Sequence, residues 1–169
     1  MRRVWVVLAG ACVIAVAAGG CGGYRGGTLL PEHIKTIAVP AFVNKTSEPN
    51  LEMPATTAVT NQLSIDGTLT LVGENESPDV VLTAEIINYQ RRAVRFTGAT
   101  RPAEYRITVT VRATLRDTHE NTDLFKDQRL SGHAEFVVVG SLPESEERAR
   151  PAAFDDLAHD VVERIVEGW

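Results

Sequence analysis

Residues 106–116 read RITVTVRATLR, and this stretch alternates between apolar and polar side chains without a break. Successive side chains of a β-strand point to opposite faces of a sheet, so the alternation predicts a strand with one buried and one exposed face. The predicted buried face carries Ile107, Val109, Val111, Ala113 and Leu115. The opposite face, which we call the Thr/Arg face, carries Arg106, Thr108, Thr110, Arg112, Thr114 and Arg116.

Segments with the same two-residue period flank this strand on both sides. Before it, one face is formed by Val80, Leu82, Ala84 and Ile86. After it, an apolar face of Leu130, Gly132, Ala134, Phe136 and Val138 opposes a polar face of Arg129, Ser131, His133 and Glu135. The polar link at residues 117–123 has hairpin length, which predicts antiparallel pairing. Residues 34–42 and 69–72 predict two shorter strands, and Pro40 favours a sheet edge for the end of the first.

Two segments carry helical rather than strand periodicity. The first helix is expected to have Asn50 as its N-cap and to stop at Asp66-Gly67. The second is expected to open at Pro151, after an acidic loop at residues 140–150. The apolar stripes are Leu51, Ala55, Ala58, Val59, Gln62 and Leu63 in the first helix and Phe154, Leu157, Ala158, Val161, Val162, Ile165 and Val166 in the second.

Both stripes are buried most economically when the two helices pack on the apolar face of the sheet. The sequence therefore predicts an α+β fold. We expect a two-layer sandwich with a mostly antiparallel or mixed sheet of about four to five strands and two helices on one face, which leaves the Thr/Arg face bare. Residues 31–169 have the length of one domain, and a single domain is expected there.

The N-terminal residues indicate export and lipidation. Residues 1–20 combine a basic start, an apolar run and small residues before Cys21, which is the pattern of a bacterial lipoprotein signal peptide with Cys21 as the lipidated residue. Cys12 offers a rival site with too short an apolar stretch. A transmembrane anchor is the other alternative, but the apolar run at residues 4–18 has 15 residues where a spanning helix needs about 20. Residues 21–30 are rich in glycine and predict a flexible tether.

Charge is distributed unevenly along the chain. Without the two arginines of the signal peptide, 15 of the 17 basic residues remain against 22 acidic residues, and a net charge of −7 argues against nucleic-acid binding. Between residues 91 and 116, however, there are seven arginines and one acid. Arginine binds phosphate in a bidentate manner and stays charged. The candidate contacts for an anionic glycolipid are Arg91, Arg92, Arg95 and Arg106, and the alternative is a solvated, salt-bridged sheet face.

The Thr/Arg face also suits contact with another protein, because threonine offers both a methyl and a hydroxyl group. Tyr89, Phe96 and Tyr105 flank the arginines, and aromatic residues with arginine are favoured at the centres of interfaces. The candidate partner surface consists of Thr108, Thr110, Arg112 and Thr114.

No set of residues in the sequence indicates catalysis or metal binding. Catalysis needs a nucleophile, a base and an orienting group, or a metal shell, and no such set is apparent. The acidic run Glu144, Glu146 and Glu147 lacks the spacing of a calcium loop and is interpreted as solvated. The histidines lack HExxH spacing and are each interpreted as surface residues: His33, His119, His133 and His159. No enzymatic activity, metal or cofactor is therefore expected.

Several short segments resemble the LptE family of lipopolysaccharide-assembly lipoproteins, in order and in spacing. The segments are Cys21-Gly22-Gly23-Tyr24, LPEHIKTIAVP (30–40), NKTSEPNLE (44–52), EYRITV (104–109) and Leu115-Arg116-Asp117. Together they span essentially the whole chain after the signal peptide.

The resemblance implies an outer-membrane lipoprotein, at the periplasmic face, that plugs the β-barrel of LptD, assists the assembly of that barrel and helps to deliver lipopolysaccharide to the outer leaflet. It also implies helices on one side of a sheet and a role other than catalysis. Gly22 stands where an aspartate would retain a lipoprotein at the inner membrane, which permits sorting to the outer membrane. A mature lipoprotein normally carries three acyl chains, palmitate among them, and several chains give stable anchoring.

One segment is also similar to other tethered lipoproteins. Residues 37–44 (IAVPAFVN) look like the opening strand of CsgG-like proteins and of penicillin-binding-protein activators, which form secretion pores or activate cell-wall synthases. A lipoprotein hydrolase is a third class, and it would need a Ser/His/Asp arrangement or a metal set. The long alternating strand and the final amphipathic helix favour lipopolysaccharide assembly.

Overall fold

The computed structural model describes residues 30–98 and 101–168. The predicted signal peptide, Cys21 and all of the predicted tether except Leu30 lie outside the described residues. In chain order the elements are β1 Thr36–Ala38, β2 Val43–Asn44, α1 Glu52–Asp66, β3 Thr70–Leu71, a 3-10 turn at Glu74–Glu76, β4 Val80–Thr97, β5 Arg101–Asp117, β6 Thr122–Val137 and α2 Leu142–Val166.

Three long antiparallel strands, β4, β5 and β6, dominate the sheet, as the alternating segments predict. The short strands β1 and β2 pair in parallel with β4, and β3 pairs in parallel with β1. Within the described residues the strand order is β3-β1-β4-β5-β6, with β2 off this path beside β4. The sheet is therefore open and mixed, and the predicted α+β fold class is confirmed.

The alternation of β5 is the main determinant of which side of the sheet is covered. Its apolar row is completely buried, and this row consists of Ile107, Val109, Val111, Ala113 and Leu115. Its polar row is half-buried or exposed. Burial of each large aliphatic side chain stabilises the fold by about 1.5–3 kcal/mol, so a one-residue slip of β5 that exposed this row would be strongly opposed.

Both helices pack on the apolar side of the sheet. α2 lies across β6 and β5 and also contacts α1 along its length. α1 stops where the sequence predicts, because Gly67 adopts a left-handed conformation with φ of 71° and donates its N–H to the Leu63 carbonyl at 3.0 Å. The buried helical residues are Ala55, Ala58, Val59 and Leu63 of α1 and Ala153, Phe154, Leu157, Ala158, Val161, Val162 and Ile165 of α2.

α2 begins well before Pro151, so the acidic loop predicted at residues 140–150 is wrong. Ser141 is the N-cap of the helix, and its hydroxyl accepts the Glu144 N–H at 3.5 Å. Pro143 lies in the first turn, where a missing N–H leaves no intrahelical bond unmade. The helix then continues through Pro151, so a proline that was expected to start the helix lies in its interior.

β4 is longer than its apolar alternation indicates. It continues to Thr97, so Arg91, Arg92 and Arg95 lie within the strand. The sequence predicts them at a strand end and in the loop that follows, and that prediction is wrong. The pairing with β5 shifts register between Ile86 and Asn88, which ends the simple apolar alternation while the hydrogen-bonded ladder continues.

Two other predicted boundaries also differ. The run at residues 34–42 forms only the three-residue β1, and the separate β2 follows after Pro40. Asn50 does not cap α1, because the N-cap position is occupied by Leu51 without a side-chain hydrogen bond. Asn50 instead adopts a left-handed conformation with φ of 61°, which asparagine tolerates better than most residues.

The edge strand β6 approaches α2 very closely at Gly132. A Cβ atom at this position would lie 2.2 Å from the backbone nitrogen of Leu157 and 2.3 Å from the carbonyl oxygen of Ala153. Neither backbone atom can move without shifting the helix. Glycine is therefore the residue that allows α2 to rest on β6 at this distance.

Carboxylates of α2 occupy part of the exposed hydrogen-bonding edge of β6. Asp160 accepts the Ser131 N–H at 3.1 Å, and Asp156 accepts the His133 N–H at 2.9 Å. Asp156 also lies 3.0 Å from Nδ1 of His133. Unpaired N–H groups on an edge strand invite pairing with another chain, so α2 protects this part of the edge.

Candidate functional site

The predicted partner residues form one row on the uncovered side of β5. Thr108, Thr110 and Thr114 are half-buried, and Arg112 is exposed. The hydroxyls of Thr110 and Ser131 lie 3.0 Å apart across to β6, and the Thr114 hydroxyl accepts the Asp127 N–H at 3.1 Å. These bonds fix the Thr110 and Thr114 hydroxyls to neighbouring residues, while the row keeps methyl and hydroxyl groups on the uncovered face.

Salt bridges cross the same face between neighbouring strands. Arg112 donates to Glu85 at 2.6 Å and lies 3.8 Å from Asp127. The hydrogen bond from Arg112 is the main cause that holds the pKa of Glu85 below its usual range. Other pairs are Arg106 with Glu135, Arg116 with Asp123 and Lys45 with Glu85. The face is therefore polar, but most of its charge is neutralised within the molecule.

The structure brings three of the four candidate glycolipid-binding arginines to this face. Arg92 is paired in register with Arg106, and Arg95 is paired with Glu104, so all of them lie on one side of the β4–β5 hairpin. Arg95 forms a salt bridge with Glu104 at 3.0 Å, and Arg106 donates its Nε to Glu135 at 2.9 Å. Arg92 is exposed and has no partner among the described residues, so it presents a free guanidinium.

Exposed apolar side chains surround these arginines at the end of the sheet that carries the β4–β5 hairpin, which we call the distal end. Phe96 is 54% exposed and Val139 is 63% exposed, and Val94, Val137 and Val138 are exposed as well. Nearby, the rings of Tyr105 and Phe136 stack with centroids 5.7 Å apart. The distal end thus combines a free cation with apolar groups, a combination that suits an amphiphile with an anionic headgroup.

Arg91 lies on the other side of the sheet, in a buried network around Glu146. The carboxylate of Glu146 accepts a hydrogen bond from the Tyr89 hydroxyl at 2.8 Å and a salt bridge from Arg91. Arg150 donates to the Tyr89 hydroxyl at 3.0 Å, forms a salt bridge with Glu48 and lies over the Tyr89 ring at 5.2 Å. The network fixes the first turns of α2 to β4.

The sequence interpretation of Glu146 as a solvated residue is wrong, because its side chain is 7% exposed. Burial, followed by the hydrogen bond to Glu146, raises the pKa of Tyr89 well above its ordinary value, so the phenol stays protonated. A signal for this network is present in the sequence. Extending the apolar stripe of α2 backwards at helical spacing from Phe154 reaches Arg150 and then Glu146.

Two histidine–aspartate pairs join the opposite end of the sheet. His33 Nε2 lies 2.6 Å from Asp117, and His119 Nε2 lies 2.8 Å from Asp79. The two rings meet edge to face with centroids 5.8 Å apart. Asp79 also accepts the Thr36 N–H and hydroxyl, each at 2.8 Å. His33 and His119 are exposed, as the sequence predicts, and they also form a cluster that holds the segment before β1 against the strand ends.

Hydrogen bonding keeps both aspartates ionised. The bond from His119 contributes most to lowering the pKa of Asp79 far below its usual range, followed by the Lys35 N–H. Burial raises the pKa of Asp117, but the Glu120 N–H and His33 together with the His119 N–H outweigh burial, so this pKa is also lowered. Both carboxylates therefore accept these hydrogen bonds in their ionised form at neutral pH.

The described residues contain no group of three or more histidine, cysteine, aspartate or glutamate side chains arranged to hold a metal ion. Among the helices in residues 30–98 and 101–168, none combines the length and the apolar character needed to span a bilayer.

Comparison with protein families gives one match that covers most of the chain. The family model described as LptE, lipopolysaccharide-assembly, matches residues 34–167. This range contains both helices and all three long strands. No curated protein matches the chain.

Solved structures of distant sequences share the fold. An uncharacterized lipoprotein B from Nitrosomonas europaea is 14% identical with a TM-score of 0.57, and the alignment covers 85% of this chain and 89% of that one. The hypothetical protein CT253 from Chlamydia trachomatis is 14% identical with a TM-score of 0.57, covering 78% and 95%. A minor lipoprotein from Acinetobacter baumannii is 15% identical with a TM-score of 0.52, covering 78% and 91%.

Proposed function

The chain belongs to the LptE family of lipopolysaccharide-assembly proteins, and on this premise we propose that it is an outer-membrane lipoprotein that plugs an LptD-type β-barrel and assists insertion of lipopolysaccharide into the outer leaflet. The observation that carries the proposal is the family match over residues 34–167, which includes every strand and helix of the described residues. The role is binding and assembly, without catalysis and without a cofactor.

The Thr/Arg face supports the barrel partner. A barrel interior is polar, and a plug that entered it with unpaired charges would have to strip water from each of them. Here Arg112 and Arg106 already have acidic partners on their own chain. A row of threonines between neutralised charges is therefore suited to contact a polar, water-poor wall.

The anchor is proposed at the N-terminus. Residues 1–20 act as the signal peptide, Cys21 receives the lipid, residues 21–30 form the tether and residues 31–169 form the single domain. Addition of labelled palmitate to growing cells tests this directly. The wild-type chain should incorporate label, and a Cys21→Ser chain should incorporate none; a labelled Cys21→Ser protein would assign lipidation to another residue.

The distal end supports contact with lipopolysaccharide. Arg92 is free of acidic partners among the described residues, and Val94 and Phe96 expose apolar groups further along the same strand. Arg95 and Arg106 lie on the same face, so a phosphorylated headgroup that reaches Arg92 also meets them. Arg91 is proposed to act in the stability of this end, since its guanidinium is held by Glu146.

Co-purification with the cognate barrel tests the partner. Full-length protein with a C-terminal tag is co-expressed with the LptD-type barrel of the same organism, and the barrel recovered per molecule of bait is measured. Wild-type protein should retain the barrel, and Thr110→Lys should reduce its recovery severalfold, because an unpaired charge is placed in the centre of the face. Ser64→Lys, on the exposed side of α1, is the matched control. Failure of the wild-type protein to retain the barrel would reject the proposal.

Binding of lipopolysaccharide is tested with Arg92→Glu. This change breaks no salt bridge within the described residues. A loss of binding would therefore reflect the lost contact with lipopolysaccharide and not the loss of a salt bridge. Arg129→Glu provides the same change at an exposed arginine on β6 that has no ion pair among the described residues and lies away from the distal end. Weaker retention of labelled lipopolysaccharide by Arg92→Glu alone supports the distal end as the contact; equal retention by both variants would exclude it.

A further inference from the structure

A groove between α1 and α2 lies on the helix side of the molecule, away from the Thr/Arg face. Its volume is about 600 Å³, within the range of sites that hold ligands or inserted side chains. The floor is apolar and is formed by Met53, Pro54, Ala58, Pro151 and Phe154. Met53 is 65% exposed, although a flexible apolar side chain of this kind is normally buried.

The helix that forms one wall of the groove lacks charge. From Met53 to Ile65, α1 contains no acidic or basic residue, so its exposed face presents Thr57 and Asn61 where a solvated helix usually carries lysine or glutamate. Depletion of charge and enrichment of methionine characterise the centres of protein interfaces. This wall has the composition of a contact surface.

Two carboxylates stand on the other wall. Glu147 and Asp155 line the groove, both are exposed, and neither has a hydrogen bond or ion pair within residues 30–98 and 101–168. They lie eight residues apart on α2, which corresponds to about 12 Å along the helix axis. Arg150 is the basic residue among the residues that line the groove, and its guanidinium already contacts Glu48 and the Tyr89 hydroxyl. The net field that an occupant meets is therefore negative.

These features select the occupant by charge. Two carboxylates about 12 Å apart cannot share a single metal ion, whose ligands lie within about 2.6 Å of it. An anionic lipid or a nucleic acid would be repelled by both. A polypeptide segment with apolar side chains between two basic residues matches the floor and both carboxylates at once.

We propose that the groove between α1 and α2 binds a basic amphipathic segment of a protein partner, with apolar side chains on Met53 and Phe154 and one lysine or arginine on each of Glu147 and Asp155. The site goes beyond the proposed plug function and does not depend on it, because the groove lies on the opposite layer from the Thr/Arg face.

The test uses full-length protein in detergent micelles and a library of random 15-residue displayed peptides. Peptides that survive selection are synthesised, and their affinities are measured by fluorescence anisotropy. They should carry basic residues on both sides of apolar ones. The double variant Glu147→Lys/Asp155→Lys should bind them about tenfold more weakly or worse, as expected when two surface ion pairs are replaced by two like-charge contacts.

A matched variant and a second site keep the test decisive. Glu163→Lys/Glu167→Lys makes the same charge change at the C-terminal end of α2 and its C-cap, outside the groove, and should leave affinity unchanged. Met53→Lys, at an exposed position, should abolish binding without disturbing the core. The proposal is overturned if selected peptides lack basic residues, if the groove variants bind them as well as wild type does, or if phosphatidylglycerol vesicles displace them, which would assign the groove to lipid.

Discussion

At the scale of single residues, several positions join a helix to the sheet by close contact with an atom of another element. Gly132 is the clearest example, because the backbone of α2 occupies the place of its Cβ. Glu146 is another, since one buried carboxylate connects α2 with Tyr89 and Arg91 of β4. A change at either position affects the junction of helix and sheet and not one element alone.

Replacement of Gly132 by alanine should destabilise the protein. The added methyl group would meet backbone atoms at 2.2 and 2.3 Å, so α2 must move away from β6. Overpacking of this kind costs about 1–3 kcal/mol. Urea unfolding measures the free energy, and Gly73→Ala is the control, since its nearest neighbour is the flexible Glu76 side chain at 3.1 Å. Equal stabilities for the two variants would show that α2 yields without cost.

Replacement of Glu146 by glutamine should also lower stability. The change removes the charge that faces Arg91 and leaves fewer acceptors for the Tyr89 hydroxyl. Hydrogen bonds to charged groups contribute about 1.5–3 kcal/mol, and the partial exposure of Arg91 favours the lower value. Thermal unfolding checks the loss. Glu144→Gln, exposed on the same helix, should stay within about 0.5 kcal/mol of wild type, and a similar loss there would contradict the role of the network.

The limits of sequence interpretation are visible at these same residues. The buried row from Ile107 to Leu115 is predictable because strand alternation is a local property. The burial of Glu146 is not local, since it depends on where α2 begins and on a tyrosine 57 positions away. His33 and Asp117, 84 positions apart, pair for the same reason. The composition of the Thr/Arg face can be predicted from the alternation of β5. Which acidic residue each of its arginines contacts depends on the register between strands, which the sequence alone does not give.

At the scale of elements, α2 serves both as a core helix and as a cover for the sheet edge. Its apolar side closes the core, and Asp156 and Asp160 accept N–H groups that an adjacent strand would otherwise take. The capping by Ser141 starts this helix early enough to add the Glu146 network to the same element. Sequence periodicity predicts the core-facing stripe of α2. It does not predict that Asp156 and Asp160, on the polar side of the helix, accept N–H groups of β6.

The double change Asp156→Ala/Asp160→Ala should open this edge. The amides of Ser131 and His133 lose their acceptors, so their hydrogen exchange should accelerate by about tenfold or more, while amides bonded to β5 change little. Asp155→Ala, next in the helix but not bonded to β6, is the control. Unchanged exchange at Ser131 and His133 would mean that these carboxylates do not protect the edge.

At the scale of the whole molecule, the histidine–aspartate cluster ties the segment before β1 to the ends of β4 and β5. Asp79 and Asp117 have lowered pKa values in the folded protein, so the unfolded chain binds protons more readily than the folded one as pH falls. Their contribution to stability is therefore complete above the unfolded aspartate pKa of about 3.9 and is lost below it.

Stability should accordingly fall as the pH is lowered from 5 towards 2, that is, on passing the ordinary aspartate pKa of about 3.9. Urea unfolding at a series of pH values measures this slope. Asp79→Asn should be less stable at neutral pH and should show a shallower acid-dependent loss, whereas Asp155→Asn, which has no partner in the described residues, should follow wild type. A slope unaltered by Asp79→Asn would place the acid sensitivity elsewhere.

The length of β4 sets a distance between the two ends of the molecule. Val80 pairs with Asp117 beside His33, and Arg92 follows twelve residues later on the same strand. At about 3.3 Å per residue, the separation is about 40 Å, close to the 40–45 Å thickness of a bilayer with its headgroups. In the proposed plug, β4 is therefore long enough to hold Arg92 about one membrane thickness away from the His33 end of the sheet. This length is the one that the proposed transfer of lipopolysaccharide to the outer leaflet requires of a body that reaches from one membrane face to the other.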